Sequence, residues 1–70
     1  MGEYMSESDT RRFNSFLVAS GYNIGTLAAD IGVSRATLSS RVNGRTDFSR
    51  REMEKIAKIL GHTPTEIFFG

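Results

Sequence analysis

The sequence predicts an all-α domain of five short, closely connected helices, and three observations predict it. Apolar residues recur at i, i+3, i+4 and i+7 in successive segments, the spacing of one helix face. A glycine stands at the end of four such segments: Gly21, Gly32, Gly44 and Gly61. A serine, threonine or asparagine precedes most new segments, in position to cap them. A chain of 70 residues makes one domain, near the lower limit of what folds on apolar burial alone. With no cysteine and one histidine, it has neither a disulfide nor a zinc cluster to staple it. The core therefore depends on efficient packing, or in part on a second subunit.

Taken in order, residues 1–8 read as a flexible polar tail in which Tyr4 and Met5 are isolated. Helical spacing starts near Ser8 or Asp9, either of which can cap the first turn, so the domain is expected over 9–70. Phe13, Phe16, Leu17 and Ser20 then share one face, and Gly21 closes that helix. Asn23 caps the second helix, whose stripe is Ile24, Leu27, Ala28 and Ile31, and Gly32 stops it after about two turns. Val33 is apolar and Ser34 is a good cap, so a third helix starts almost at once and runs Arg35 to Val42. Leu38 and Val42 face inward, and Asn43-Gly44 closes it. Asn-Gly also suits a two-residue hairpin, but neither flank alternates with period two.

Residues 45–48 form a loop anchored by Phe48. Ser49-Arg50-Arg51-Glu52 reads as a capping box, the serine accepting from the third amide and the glutamate reaching back to the cap. Met53, Ile56, Ala57 and Leu60 give the fourth helix its inward stripe, and Gly61 ends it. Thr63-Pro64-Thr65-Glu66 is a second box, with proline where its missing N–H costs nothing. The last short helix carries Ile67, Phe68 and Phe69. Adjacent Phe68 and Phe69 cannot face the same way on an α-helix, so one is expected to close the core and the other to be exposed, a natural dimer contact.

Net charge is +1, but it is unevenly placed. Residues 1–9 hold Glu3, Glu7 and Asp9 with no base, while residues 10–70 hold all nine basic side chains against the remaining five acidic ones. Between 33 and 51, five arginines face Asp47 alone. A basic face with a separate acidic tail is the footprint of a phosphate-binding surface. Other classes are disfavoured. No apolar run reaches the length of a signal-peptide core or a membrane span, so a soluble, non-exported chain is expected. Met1-Gly2-Glu3-Tyr4-Met5-Ser6 matches the short myristoylation pattern, yet no basic cluster follows to add a second membrane signal. His62 follows a glycine without partners, serines stand without an oriented base, and so short a chain is expected to hold no cofactor, metal or ligand pocket.

The informative segment is Ile24 to Arg45. Two short helices joined by Ile31-Gly32-Val33-Ser34 must cross steeply, because the linker is too short for an antiparallel hairpin. Ala28 lets them approach, Gly32 supplies the turn, Val33 plugs the corner and Leu38 pins the second helix from beneath. That is the physical content of a helix-turn-helix, whose second helix protrudes and fits the major groove. Arg35, in its first turn, can offer a fork to guanine O6 and N7, Ala36 can touch a thymine methyl, and Ser40 can reach a base edge or a bridging water. Ser34, Thr37 and the amides that open the helix Ile24–Ile31 suit phosphate, and Arg41, Asn43 and Arg45 lie toward the neighbouring backbone. Arg50 and Arg51 stand in the first turn of a helix against its macrodipole, a placement that hints at a use.

Leu27-Ala28-x-x-Ile31-Gly32-Val33-Ser34-x-x-x-Leu38-Ser39 resembles the helix-turn-helix of the Cro and repressor family, the lambda-repressor-like or XRE group. The resemblance runs on through Asn43-Gly44-Arg45 and Ser49–Leu60 into Pro64-Thr65-Glu66-Ile67-Phe68, covering roughly residues 10–69. It looks closest to small phage-type regulators. It implies base reading by Arg35, Ala36 and Ser40 with Ser34 as auxiliary, and phosphate contacts from Asn23, Ile24 through its amide, Thr37, Asn43 and Arg45. Two positions depart from the pattern. Ile24 stands where many members have a phosphate-gripping glutamine, and Arg41 where many bury an aliphatic side chain. Arg41 is thus either a phosphate contact or a cover for the core. The resemblance implies a bacterial cytosolic regulator that binds double-stranded operator DNA as a weak homodimer and is not an enzyme. An antitoxin or a restriction-operon controller on the same fold, or an interaction module that has lost DNA, remain the rivals.

Overall fold

The structure is a computed structural model that describes residues 4–69. Its elements are helix α1 (Glu7–Ala19), α2 (Ile24–Ile31), α3 (Arg35–Val42), α4 (Arg50–Leu60) and a terminal π-helical turn, Thr65–Phe69. All are helical, as the pattern predicts.

Helix α1 begins earlier than its apolar spacing indicates. Ser6, not Ser8 or Asp9, is its cap: the Ser6 hydroxyl accepts from the Asp9 amide at 3.2 Å, and the Asp9 carboxylate accepts from the Ser6 amide at 3.1 Å. The spacing could not place the cap because the first buried residue of the helix, Phe13, comes only in its second turn. Asp9 also pairs with Arg12 at 2.7 Å, so this end of the acidic segment is joined to the basic body instead of standing apart. Met5 is 8% exposed and belongs to the core. Gly2, which myristoylation needs, lies outside the described residues.

The segment Met5–Thr10 sits on the end of α3. The Thr10 hydroxyl donates to the Val42 carbonyl, one of the acceptors a helix end leaves unpaired. The α3 end is a two-bond cap: Gly44 N–H donates to the Arg41 carbonyl at 3.2 Å and Arg45 N–H to the Ser40 carbonyl at 2.9 Å. Gly44 has φ +76°, and the Met5 carbonyl lies so close that a Cβ there would overlap it. Two separate demands therefore select glycine at this position.

The caps of α2 and α3 are those the sequence predicts, Asn23 and Ser34. Ser49 also caps α4, with its hydroxyl accepting from the Glu52 amide at 3.2 Å. The reciprocal half of that predicted box is absent, because the Glu52 carboxylate goes elsewhere. In the box before the terminal turn, Thr63 Oγ1 accepts from Glu66 N at 3.2 Å and the Glu66 carboxylate accepts from Thr63 N at 2.9 Å. The terminal element is a single π turn where an ordinary short helix was expected, and Ile67 and Phe68 are both buried in it.

The core gathers Leu17 of α1, Leu27, Ala28 and Ile31 of α2, Leu38 and Val42 of α3, and the stripe Met53, Ile56, Ala57 and Leu60 of α4. Phe68 ties three segments together, with ring centroids 5.8 Å from Phe13 and 5.4 Å from Phe48. Arg12 Nε donates to the Ile67 carbonyl at 3.1 Å, fastening the terminal turn to α1. Among the described residues, no helix is long and apolar enough to cross a membrane.

Candidate nucleic-acid interface

The placement of α3 against α2 follows from the turn before it. Gly32 takes φ +82°, and the Val33 amide donates back to the Ala28 carbonyl at 3.0 Å, so the chain turns sharply between α2 and α3. Leu27, Ala28 and Ile31 of α2 and Leu38 and Val42 of α3 are buried in the same core, while Val33 packs half-buried against it. Of its eight residues Leu38 and Val42 are buried, Thr37, Ser39, Ser40 and Arg41 are half-exposed, and Arg35 and Ala36 are exposed. At 100° per residue, Ala36 and Ser40 lie opposite Leu38.

The site residues fall into three groups. Ser34, Arg35 and Ala36, at the N-terminal end of α3, are exposed. Ser34 is also the cap: its oxygen accepts from Thr37 N at 3.1 Å, and its hydroxyl donates to Thr37 Oγ1 at 2.7 Å. That leaves the Thr37 hydroxyl proton outside the cap. The Arg35 Cδ lies 3.9 Å from where a Cβ on Gly25 would stand, so the arginine stem runs beside the first turn of α2.

The second group is that first turn. Asn23 Oδ1 accepts from Thr26 N at 2.9 Å, and Thr26 Oγ1 accepts from Asn23 N at 3.0 Å. This box satisfies the Thr26 amide and leaves those of Ile24 and Gly25, the Asn23 Nδ2 donor, and the positive end of the α2 dipole. Ile24 is half-buried against the core, extending the apolar stripe with its side chain. Gly25 was not singled out in the sequence. A Cβ there would stand 3.2 Å from the Asn23 cap oxygen as well as beside the Arg35 stem, so the missing side chain serves the local cap first and the approach of Arg35 second.

The third group is the far end of α3. Asn43 and Arg45 are exposed, and Ser40 is half-exposed beneath the returning loop, its carbonyl accepting from Arg45 N. Arg41 differs from them. Its guanidinium donates to the Glu52 carboxylate at the start of α4, and the two side chains are 23% and 22% exposed. Sequence reasoning assigned Glu52 to the Ser49 amide alone. The one signal for the pair was an arginine at a half-buried α3 position with a glutamate eleven residues on. Arg50 and Arg51, beside Glu52, are exposed.

The remaining expectations sort by burial. Phe68 is 4% exposed and inside the core, so it is not available as a dimer contact, whereas Phe69 is 48% exposed. His62 lies edge-on to Phe16, centroids 4.6 Å apart, with Nδ1 3.5 Å from the Glu66 carboxylate. Two open depressions follow the outer face of α1, lined by Arg11, Asn14, Ser15, Phe16, Val18, Ala19 and His62, and neither is lined by α3. No group of acidic or histidine side chains among the described residues is arranged to hold a metal.

This arrangement offers a polyanion an exposed arginine in the first turn of α3, the α2 N-terminus beside it, and an exposed arginine beyond the far end of α3. A family model described as Helix-turn-helix matches residues 15–68, well over half of the chain. No curated protein matches the chain. No solved structure matches it either.

Proposed function

The chain belongs to the helix-turn-helix family of the Cro and repressor, XRE type, and is a DNA-binding regulator; from that, we propose that it reads an operator half-site through the major groove with α3. The observation that carries the reading is the division of α3. Leu38 and Val42 are buried, while Ser34, Arg35 and Ala36 stand exposed on its leading end.

In this mechanism phosphates position and bases specify. The Ile24 and Gly25 amides, with Asn23 Nδ2 and the Thr37 hydroxyl, grip one phosphate at the α2 N-terminus, and Asn43 and Arg45 meet the backbone at the far end of α3. Between those anchors Arg35 presents its fork to a guanine edge, Ala36 meets a thymine methyl, and Ser40 contacts a base edge or its water. Ser34 assists from the cap. Occupancy of the site in the bacterial cytosol then blocks or recruits polymerase, with no cofactor and no catalytic step.

A palindromic operator calls for two subunits, and the reading includes a weak homodimer with Phe69 at its contact. The test is selection of bound duplexes from a random pool. Enrichment of a two-fold symmetric motif, with half-sites about one helical turn apart, is the expected result. Recovery of no motif from a pool that the protein nevertheless retains would sink the base-reading proposal.

A further inference from the structure

We infer that Glu52 withholds Arg41 from the phosphate backbone, and so limits how strongly the chain holds DNA of any sequence. The inference rests on the DNA-reading role of α3 proposed above.

Three arginines belong to α3 or the turn after it, and they are in different states. Arg35 and Arg45 are exposed. Arg41 is three-quarters shielded and bonded to a carboxylate. Glu52 is held for this purpose from two other directions. Its amide is bonded to Ser49 Oγ at 3.2 Å, and its second carboxylate oxygen accepts from the same hydroxyl at 3.2 Å. It also stands in the first turn of α4, where the helix dipole favours an anion. Ser49 and the dipole therefore pin the carboxylate, and the carboxylate pins the guanidinium.

A cation in that state releases no counterions from DNA until its pair is broken. Breaking a largely shielded pair leaves a carboxylate facing the duplex, so the exchange is unfavourable. Phosphate contacts act equally on every sequence, whereas base contacts act on one. Withholding one phosphate-directed charge thus lowers binding to random DNA without touching the Arg35 end of α3. Only three arginines lie on α3 and the turn after it, so withholding one removes a large part of the attraction at that helix. Glu52 is a positioning residue, acting through Arg41.

The test is the salt dependence of binding to the selected duplex and to a random duplex, with melting curves, for the unaltered chain, Arg41→Gln, Glu52→Gln and the double variant. Glu52→Gln is expected to steepen the slope of log K against log salt by about 0.9 and to raise random-duplex affinity several-fold at low salt. Arg41→Gln is expected to leave the slope unchanged, and the double variant to restore the original one. A flattened slope for Arg41→Gln would show that Arg41 already contacts phosphate and would overturn the inference. So would an unchanged slope for Glu52→Gln, or a double variant that keeps the steeper slope, which would reduce the effect to a lost negative charge. Should Glu52→Gln unfold, Arg41→Gln keeps the inference falsifiable, because a flattened slope ends it. Failure of the unaltered chain to bind any duplex would remove the DNA reading itself and this inference with it, a result distinct from all of these.

Discussion

Arg35 and Arg45 carry opposite kinds of information in the proposed interface, and single substitutions separate them. Arg35→Ala is expected to cost about 1–3 kcal/mol on the selected duplex and to relax preference at one base pair. Arg45→Ala is expected to weaken every duplex alike and flatten the salt slope by about one. Titrations on matched and random duplexes check both, and equal loss on the two for Arg35→Ala would remove its base-reading role. The position of Arg35 was legible because a serine cap immediately precedes it, and a cap defines the first turn. The state of Arg41 was not legible. Its charge and its place on α3 say nothing about a carboxylate that only tertiary packing brings beside it. Gly25 is a mixed case: a Cβ there would crowd the Asn23 cap oxygen, a local contact, and would also meet the Arg35 stem, which tertiary packing brings beside it.

Helix boundaries were legible wherever a cap adjoins an apolar stripe, and α2, α3 and α4 are bounded as their spacing predicts. Helix α1 was misplaced at its start because its first turns bury nothing before Phe13. The π turn was illegible for a different reason. Short pieces of helix carry too few residues to reveal a period, and the widened turn appears where Ile67 and Phe68 are both buried. Gly44 yields a test. Gly32→Ala meets only the strain of a positive φ, about 1–2 kcal/mol, because nothing lies within 4 Å of the added carbon. Gly44→Ala meets the same strain and the Met5 backbone as well, so its melting temperature should fall further than that of Gly32→Ala. Equal losses in parallel melts would mean that the Met5 segment yields freely.

Two capping boxes predict the acid limb of stability. The hydrogen bond from the Ser6 amide, followed by the Arg12 guanidinium, holds the Asp9 carboxyl below the usual carboxylate range. The Thr63 amide does the same for Glu66. A carboxyl whose folded value is depressed contributes fully above its unfolded value, and that contribution is lost as pH falls through the folded one. The melting temperature should therefore drop progressively below about pH 4. The Asp9→Asn, Glu66→Gln variant should start lower at neutral pH and drop less. An unchanged acid limb in that variant would assign acid sensitivity to other groups.

The core is a single cluster closed by Phe68, and in the proposed dimer the contact falls to exposed apolar residues, Phe69 among them. Phe68→Ala is expected to cost about 3–5 kcal/mol, comparable with the total stability of a small domain. Phe69→Ser should change folding by under about 0.5 kcal/mol while weakening self-association. Sedimentation of Phe69→Ser against the unaltered chain reads the second effect, and an unaltered equilibrium would move the dimer contact elsewhere. Val18, 76% exposed on α1, and Tyr4, 67% exposed, are the other large apolar side chains among the described residues that such a contact could use.

The amino-acid order alone determined the helical class, the steep turn at Gly32, the inward stripes and the leading position of Arg35 on α3. All of these are local: a cap, a glycine and a 3.6-residue period act within one or two turns of chain. Tertiary structure decided which charges remain available, which phenylalanine is interior, and that Met5 and Thr10 close over the end of α3. Those outcomes depend on which distant groups come within a few ångströms of one another. No local spacing encodes that proximity.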